Sequence, residues 1–257
     1  MSTTDAGLGL QYNAPSMLQQ IAWALGAPCD DRSLILEEAG TIMDPCAYQA
    51  RNFASSDEAL QARAALRDEL GAQLRSSTVI VFTFGLTEVW TDRATGVACN
   101  VTPPASVLGA EPDRYRCHRL THAENLSAMR SIFQAVRSVN RAAGIIATIS
   151  PVPLAATFLG PDVLQANSYS KSTLRSALGE AIAWALADGL GPIDYFPSYE
   201  LVTLTDRAKV WREESPDGKP DGRHVLPGFV REVIIGCFAS AYLGSAKAAI
   251  AEAAPNG

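Results

Sequence analysis

The segment Val79-Ile80-Val81-Phe82-Thr83-Phe84 constrains the fold more than any other part of this sequence. It is a nearly unbroken run of β-branched and aromatic residues, closed by Gly85. A strand with one wet face alternates apolar and polar side chains. A run without that alternation predicts a strand buried on both faces, as in a parallel sheet.

The flanking sequence supplies the helices that such a sheet needs. Ser55-Ser56-Asp57-Glu58 fits a capping box, and Leu66, Leu70 and Leu74 follow at helical spacing. A second box at Thr121 to Glu124 opens a helix carrying Leu126, Met129, Phe133 and Val136, which stops by Gly144. Ile145 to Ile149 is then a strand, broken by Pro151 and Pro153. Ser170 is expected to cap a helix with Leu174, Leu178, Ile182 and Leu186 inward, ended by Gly189 and Gly191. Ile193 to Phe196 is a short strand, and a last helix runs from about Gly228 to Tyr242 with Phe229, Val233 and Cys237 on one face.

Strand–helix alternation of this kind predicts a doubly wound α/β fold. In such sheets the chemistry lies beyond the carboxyl ends of the strands. That directs attention to Gly85–Trp90, Ser150–Leu154, Pro197–Glu200 and the loop around His224.

The length of 257 residues suits one domain, expected over residues 1–250 with a flexible tail at 251–257. A net charge of −6 and the absence of a basic stripe argue against nucleic acid as a partner. No apolar run of ~20 residues occurs, so no membrane span is expected. The N-terminus, Met1-Ser2-Thr3-Thr4-Asp5, has neither the basic region nor the apolar core of a signal peptide. The five cysteines are odd in number and lack a C-x-x-C, which predicts free thiols and a reduced, cytoplasmic setting.

The chain has three histidines, His118, His122 and His224. His224 ends the motif Asp221-Gly222-Arg223-His224 in a polar loop. This spacing lets the carboxylate fold back onto one imidazole nitrogen, fixing the tautomer and leaving the other nitrogen as a base. The alternative is a solvated loop histidine. His118 and His122 are four apart, a spacing that holds a metal on a helix, but Thr121 reads as a helix start and separates them; no metal or other cofactor is expected. Ser168-Tyr169-Ser170-Lys171 matches the S-x-x-K spacing of penicillin-recognising enzymes without their companion motifs. Ser198 is another candidate nucleophile, but no G-x-S-x-G turn surrounds it; its other reading is structural hydrogen bonding.

Five segments in order resemble the GSCFA family: Phe82 to Trp90, Thr148 to Leu154, Asn167 to Arg175, Asp194 to Glu200, and Asp221 to Val225, within a resemblance over roughly residues 8–243. The resemblance implies a flavodoxin-like fold of the SGNH type and a serine–histidine–aspartate esterase or acyltransferase, acting on an acyl group, such as acetyl, of a carbohydrate. In it His224 is the base and Asp221 its orienter. Gly85, Thr87 and Glu88 fall where SGNH enzymes bind the oxyanion and substrate, with Thr87 replacing an asparagine. Ser150 and Ser198 lie in blocks of the same site. The expected partner is thus a small-molecule or carbohydrate ester.

The family's G-S-C-F-A segment, which carries the nucleophilic serine after the first strand, is not present in this sequence. The resemblance therefore places the serine upstream. It also predicts an unpaired edge beside Val79 to Phe84, unless another segment fills the place of the first strand. The competing expectation is a catalytically inactive domain that binds a glycan or a protein.

Overall fold

The computed structural model describes residues 11–38, 40–47, 53–160 and 162–243. The first described elements are helix α1 (Ala14–Ala24), capped by the Asn13 side chain, and a short α2 (Asp31–Leu34). Strands β1 (Leu36–Glu38) and β2 (Thr41–Met43) form an antiparallel hairpin. Helix α3 (Ser56–Ser76) follows, then β3 (Val79–Phe84). Strands β4 (Glu88–Asp92) and β5 (Ala98–Cys99), helix α4 (Ala105–Ala110) and strand β6 (Tyr115–Arg119) come next. The second half alternates: α5 (His122–Val139), β7 (Gly144–Ile149), α6 (Val163–Ala187), β8 (Ile193–Tyr195), α7 (Ser198–Thr203) and α8 (Arg207–Val210). The last helix runs as α9 (Pro227–Phe229), a π-helical stretch (Val230–Ile235) and α10 (Gly236–Tyr242).

Of the two expected capping boxes, that at Thr121 forms in full, whereas at Ser55 only the serine's half forms and Glu58 Oε2 accepts from Ala54 N instead of Ser55 N. Ser55 Oγ accepts from Glu58 N at 3.1 Å, and Thr121 Oγ1 accepts from Glu124 N while Glu124 Oε2 accepts from Thr121 N at 2.8 Å. The expected parallel pairing forms too. The sheet order is β3-β7-β8, with Val79 opposite Gly144, Phe84 opposite Ile149, and Ile145 opposite Ile193. The molecule is thus a mixed α/β fold whose parallel sheet is flanked by helices, compatible with a flavodoxin-like arrangement. A second, antiparallel sheet of order β5-β4-β6 was not foreseen from the alternation.

One face of the parallel sheet carries Phe82, Phe84, Ile145, Ala147, Ile149 and Ile193, and packs against α1, α3, α5 and α6. The second face is covered mainly beside β7 and β8. There Tyr242 donates to Asp194 at 2.9 Å, and Phe238 packs edge-on against Phe196 at 5.3 Å. This corrects the expectation that Val79–Phe84 is buried on both faces. Val79 and Val81 remain 38% and 51% exposed, because no described element lies over that face of β3.

Two further expectations change. Helix α6 starts at Val163 under an Asp162 cap, so Ser170 lies two turns inside it and caps nothing. Leu186, expected inward, is exposed near the end of α6. The expected tail at 251–257 lies outside the described residues. All five cysteines are free thiols. None of the described helices is long and apolar enough to cross a membrane.

Candidate active site

The loop that carries His224 is built by backbone pairing. Arg212 N donates to His224 O at 2.9 Å, Asp221 N to Glu213 O at 2.8 Å, and Leu226 N to Val210 O at 2.8 Å. Between Asp221 and Arg223 the chain turns at Gly222, whose φ of +70° falls in the left-handed region that glycine adopts without a Cβ penalty. The turn folds Asp221 back over its successors. Asp221 Oδ1 accepts from Arg223 N at 3.0 Å and from His224 N at 3.1 Å.

His224 Nδ1 lies 2.9 Å from Asp221 Oδ2 and 3.0 Å from Oδ1. The carboxylate can only accept, so it selects the tautomer protonated at Nδ1 and leaves the Nε2 lone pair free. Nε2 has no hydrogen-bond partner among the described residues. The carboxylate side chain is 4% exposed and the imidazole 56%. Burial pushes the Asp221 carboxyl upward, but the bonds from Arg223 N, the His224 ring and His224 N outweigh it and hold its pKa below the ordinary carboxylate value. At neutral pH the site is an ionised carboxylate behind an exposed imidazole.

His224 opens onto a groove of about 890 Å³ along β3, where Gly85, Glu88, Ser150 and Trp90 also appear. Three other residues expected at the site, Gly85, Glu88 and Ser150, therefore line the same groove as His224, but their roles differ. Gly85 sits where the chain leaves β3. A Cβ there would stand 3.0 Å from Tyr12 O, so the close approach of α1's leading segment requires glycine. Glu88 clamps the loop beyond β7, accepting from the Thr157 hydroxyl and from Phe158 N. That clamp brings Phe158 edge-on to Trp90, with ring centroids 5.3 Å apart, on the groove wall. Ser150 Oγ accepts from Val152 N at 3.3 Å. Arg223, beside the histidine, reaches Pro153 O at 3.4 Å and ties the two loops together.

Thr87 and Ser198 lie elsewhere. Thr87 is 0% exposed, its N–H is given to Ser170 Oγ at 3.0 Å, and its hydroxyl has no partner. It does not line the groove, so its hydroxyl is not presented to an oxyanion there. Ser198 Oγ is buried, donates to Ile149 O at 3.0 Å and shares a 2.6 Å contact with Thr148 Oγ1. That arrangement fastens β7 to α7, the structural reading of this serine.

The S-x-x-K pair is split. Ser168 faces solvent, whereas Lys171 is 1% exposed and donates to Gly85 O at 2.8 Å. Ser170 and Lys171, neighbours on α6, thus hold both ends of the Gly85–Thr87 turn from behind. Sequence reasoning missed Lys171 because a lysine in a helix is normally solvated; its one signal was the adjacent buried Leu174 and Ser170 face. His118 lies on β6 and His122 opens α5 with Nε2 3.7 Å from Glu180, so the two do not share a helical face.

Among known sequences, the profile of the GSCFA family matches residues 1–225. No curated protein and no solved structure matches the chain.

Proposed function

This chain belongs to the GSCFA family, and from that premise we propose that it provides the base and orienting carboxylate of a serine esterase or O-acyltransferase for a carbohydrate acyl ester, such as an acetyl ester. The observation that carries this reading is the Asp221–His224 pair with a free Nε2 opening onto the groove. The attacking serine comes from a segment outside the described residues. Its Oγ bonds to the acyl carbon as its proton passes to His224 Nε2. The sugar oxygen then leaves, taking that proton back from Nε2, and an acyl-enzyme remains. Asp221 stays ionised throughout and stabilises the imidazolium. Water as the second nucleophile completes hydrolysis, and a second hydroxyl completes transfer. Trp90 and Phe158 on the groove wall suit the apolar face of a sugar ring.

A second reading, an inactive glycan- or protein-binding domain, draws on Thr87. With its N–H already bonded and its hydroxyl buried, the turn after β3 offers the groove one donor fewer than the resemblance implies.

The test is to assay the chain with and without an added N-terminal segment carrying G-S-C-F-A, against p-nitrophenyl acetate and O-acetylated oligosaccharides. Activity that appears with the segment and falls ~10³-fold or more in His224→Ala supports the triad. No activity in either form, with sugar binding retained, supports the second reading.

A further inference from the structure

Charge is unevenly spent on the wall of the groove. Among the described residues that line it, Arg223 is the one lysine or arginine and Glu88 the one carboxylate. Glu88 is committed, since the Thr157 hydroxyl and Phe158 N both donate to it. The Arg223 guanidinium donates to Pro153 O at 3.4 Å, a neutral acceptor at the far limit of a hydrogen bond. Its Nε is enclosed without an acceptor, and no carboxylate pairs with it among the described residues. Elsewhere the fold compensates its partly buried guanidinium groups. Arg63 pairs with Asp31 and Asp44, and Arg114 with Asp92 and Glu111. Arg137 donates to the carbonyls of Asn140, Ala143, Leu190 and Pro192. The place of the Arg223 charge is nonetheless fixed. Asp221 Oδ1 accepts from Arg223 N and from His224 N, so arginine and base leave the same turn as neighbours. The bond to Pro153 O draws the guanidinium toward the loop that also carries Ser150.

We infer that the substrate carries a carboxylate near its acyl ester, as a uronic or other acidic sugar does, and that Arg223 selects it from the groove wall. The inference rests on the acyl-ester reading for the ester and adds the charge. A guanidinium holds five N–H donors. With Nε enclosed and one N–H of Nη2 given to Pro153 O, a ligand still finds two on Nη1 and one on Nη2. These planar donors match the two oxygens of a carboxylate. Trp90 and Phe158 offer the ring an apolar wall, and Arg223 offers it a charged anchor beside the base. An apolar wall alone lets a ring slide, whereas a placed polar contact fixes its orientation. One guanidinium on a chain of net charge −6 suits a ligand with a single negative charge better than a polyanion.

The test compares two ligands that differ in charge and hardly in shape. O-acetylated methyl glucuronoside and its uronamide, in which a neutral amide replaces the carboxylate, are titrated onto the chain by calorimetry. The acid is expected to bind at least about tenfold more tightly than the amide, with a preference that shrinks as salt is added. Arg223→Gln keeps a donor for Pro153 O but loses the charge, and is expected to bring the two affinities together while leaving that for the uronamide unchanged. Arg223→Lys keeps the charge without the fork, and is expected to retain part of the preference; it serves as the second variant should the glutamine variant misfold. Equal binding of the two ligands overturns the inference. So does a preference that survives intact in Arg223→Gln, or the binding of neither ligand at millimolar concentration. The acyl-ester reading fails separately. An acid bound through Arg223 but not deacetylated by the chain extended with a G-S-C-F-A segment overturns that reading and leaves the recognition of the carboxylate standing. Deacetylation of the uronamide as fast as the acid does the converse.

Discussion

Lys171 Nζ donates to the backbone oxygen of Gly85 across 2.8 Å, and among the described residues no carboxylate pairs with it. Burial pushes this amine down to about 7, against an ordinary lysine value of 10.5. In the unfolded chain the lysine stays protonated up to about 10.5, while in the folded chain it gives up its proton near 7. Between those limits the unfolded state binds more protons, so this residue makes the fold more stable as pH rises. Urea unfolding at pH 7 and pH 9.5 is expected to show a gain in the native protein that Lys171→Met largely removes. An unchanged slope in the variant would mean that the amine stays charged when folded.

Arg63 is the hub of a buried ion network. Its Nη1 lies 2.6 Å from Asp44 Oδ2 and its Nε 3.0 Å from Asp31 Oδ1, with Arg63 and Asp44 both nearly inaccessible. Removing the guanidinium leaves Asp44 desolvated beside a hydrogen-bonded turn at Cys46. Arg63→Met is expected to cost about 3–5 kcal/mol in denaturant unfolding, and Arg63→Met with Asp44→Leu to cost less than the single change.

The Thr121–Glu124 box anchors α5, the helix that packs on the sheet core. Thr121→Ala is expected to lower stability by about 1 kcal/mol. Hydrogen bonds from the Thr121 backbone and hydroxyl hold the Glu124 carboxyl below its ordinary value of 4.5. A depressed carboxyl stabilises the fold above its unfolded value and loses that effect as it is protonated. The difference between the native protein and Glu124→Gln is therefore expected in full above about pH 5 and to fade as pH falls below 4.5.

Gly222 lets Asp221 turn back onto His224. A Cβ there meets nothing closer than Arg207 Nη2 at 3.5 Å, so crowding is not the obstacle; the +70° φ is. Gly222→Ala is expected to cost about 1–2 kcal/mol, concentrated in the loop. Thermal unfolding should show a modest drop, while exchange of the Arg223 and His224 amides, both bonded to Asp221 Oδ1, should accelerate strongly.

Ser198→Ala and Ser150→Ala separate structure from site. Ser198 bonds β7 to α7 out of reach of the groove, so its loss is expected to cost about 1–3 kcal/mol of stability. Ser150 lines the groove, so its loss is expected to leave stability within about 0.5 kcal/mol and to alter ligand binding. The reverse outcome in calorimetry and binding assays would exchange the two assignments.

What the sequence determined by itself was the part of the structure governed by near neighbours. The caps at Ser55 and Thr121 act over three residues, and each side chain accepts the N–H expected of it. The Asp221–His224 pair also spans three residues, so the candidate base and its orienter were legible before any fold was known. The β-branched runs at Val79–Phe84 and Ile145–Ile149 announced parallel strands because each needs a partner of its own kind. Tertiary structure decided the rest. Whether both faces of Val79–Phe84 are covered depends on what lies over them, and composition carries no record of that. The burial of Lys171 against Gly85 and the bond from Thr87 to Ser170 join residues 86 and 83 apart. Ser170 therefore read as a helix cap, and Thr87 as an exposed donor, until the packing of α6 behind the turn showed both side chains enclosed. A local pattern specifies which hydrogen bonds a segment can make with itself; the long-range contacts that remove a side chain from water are chosen only when distant elements meet.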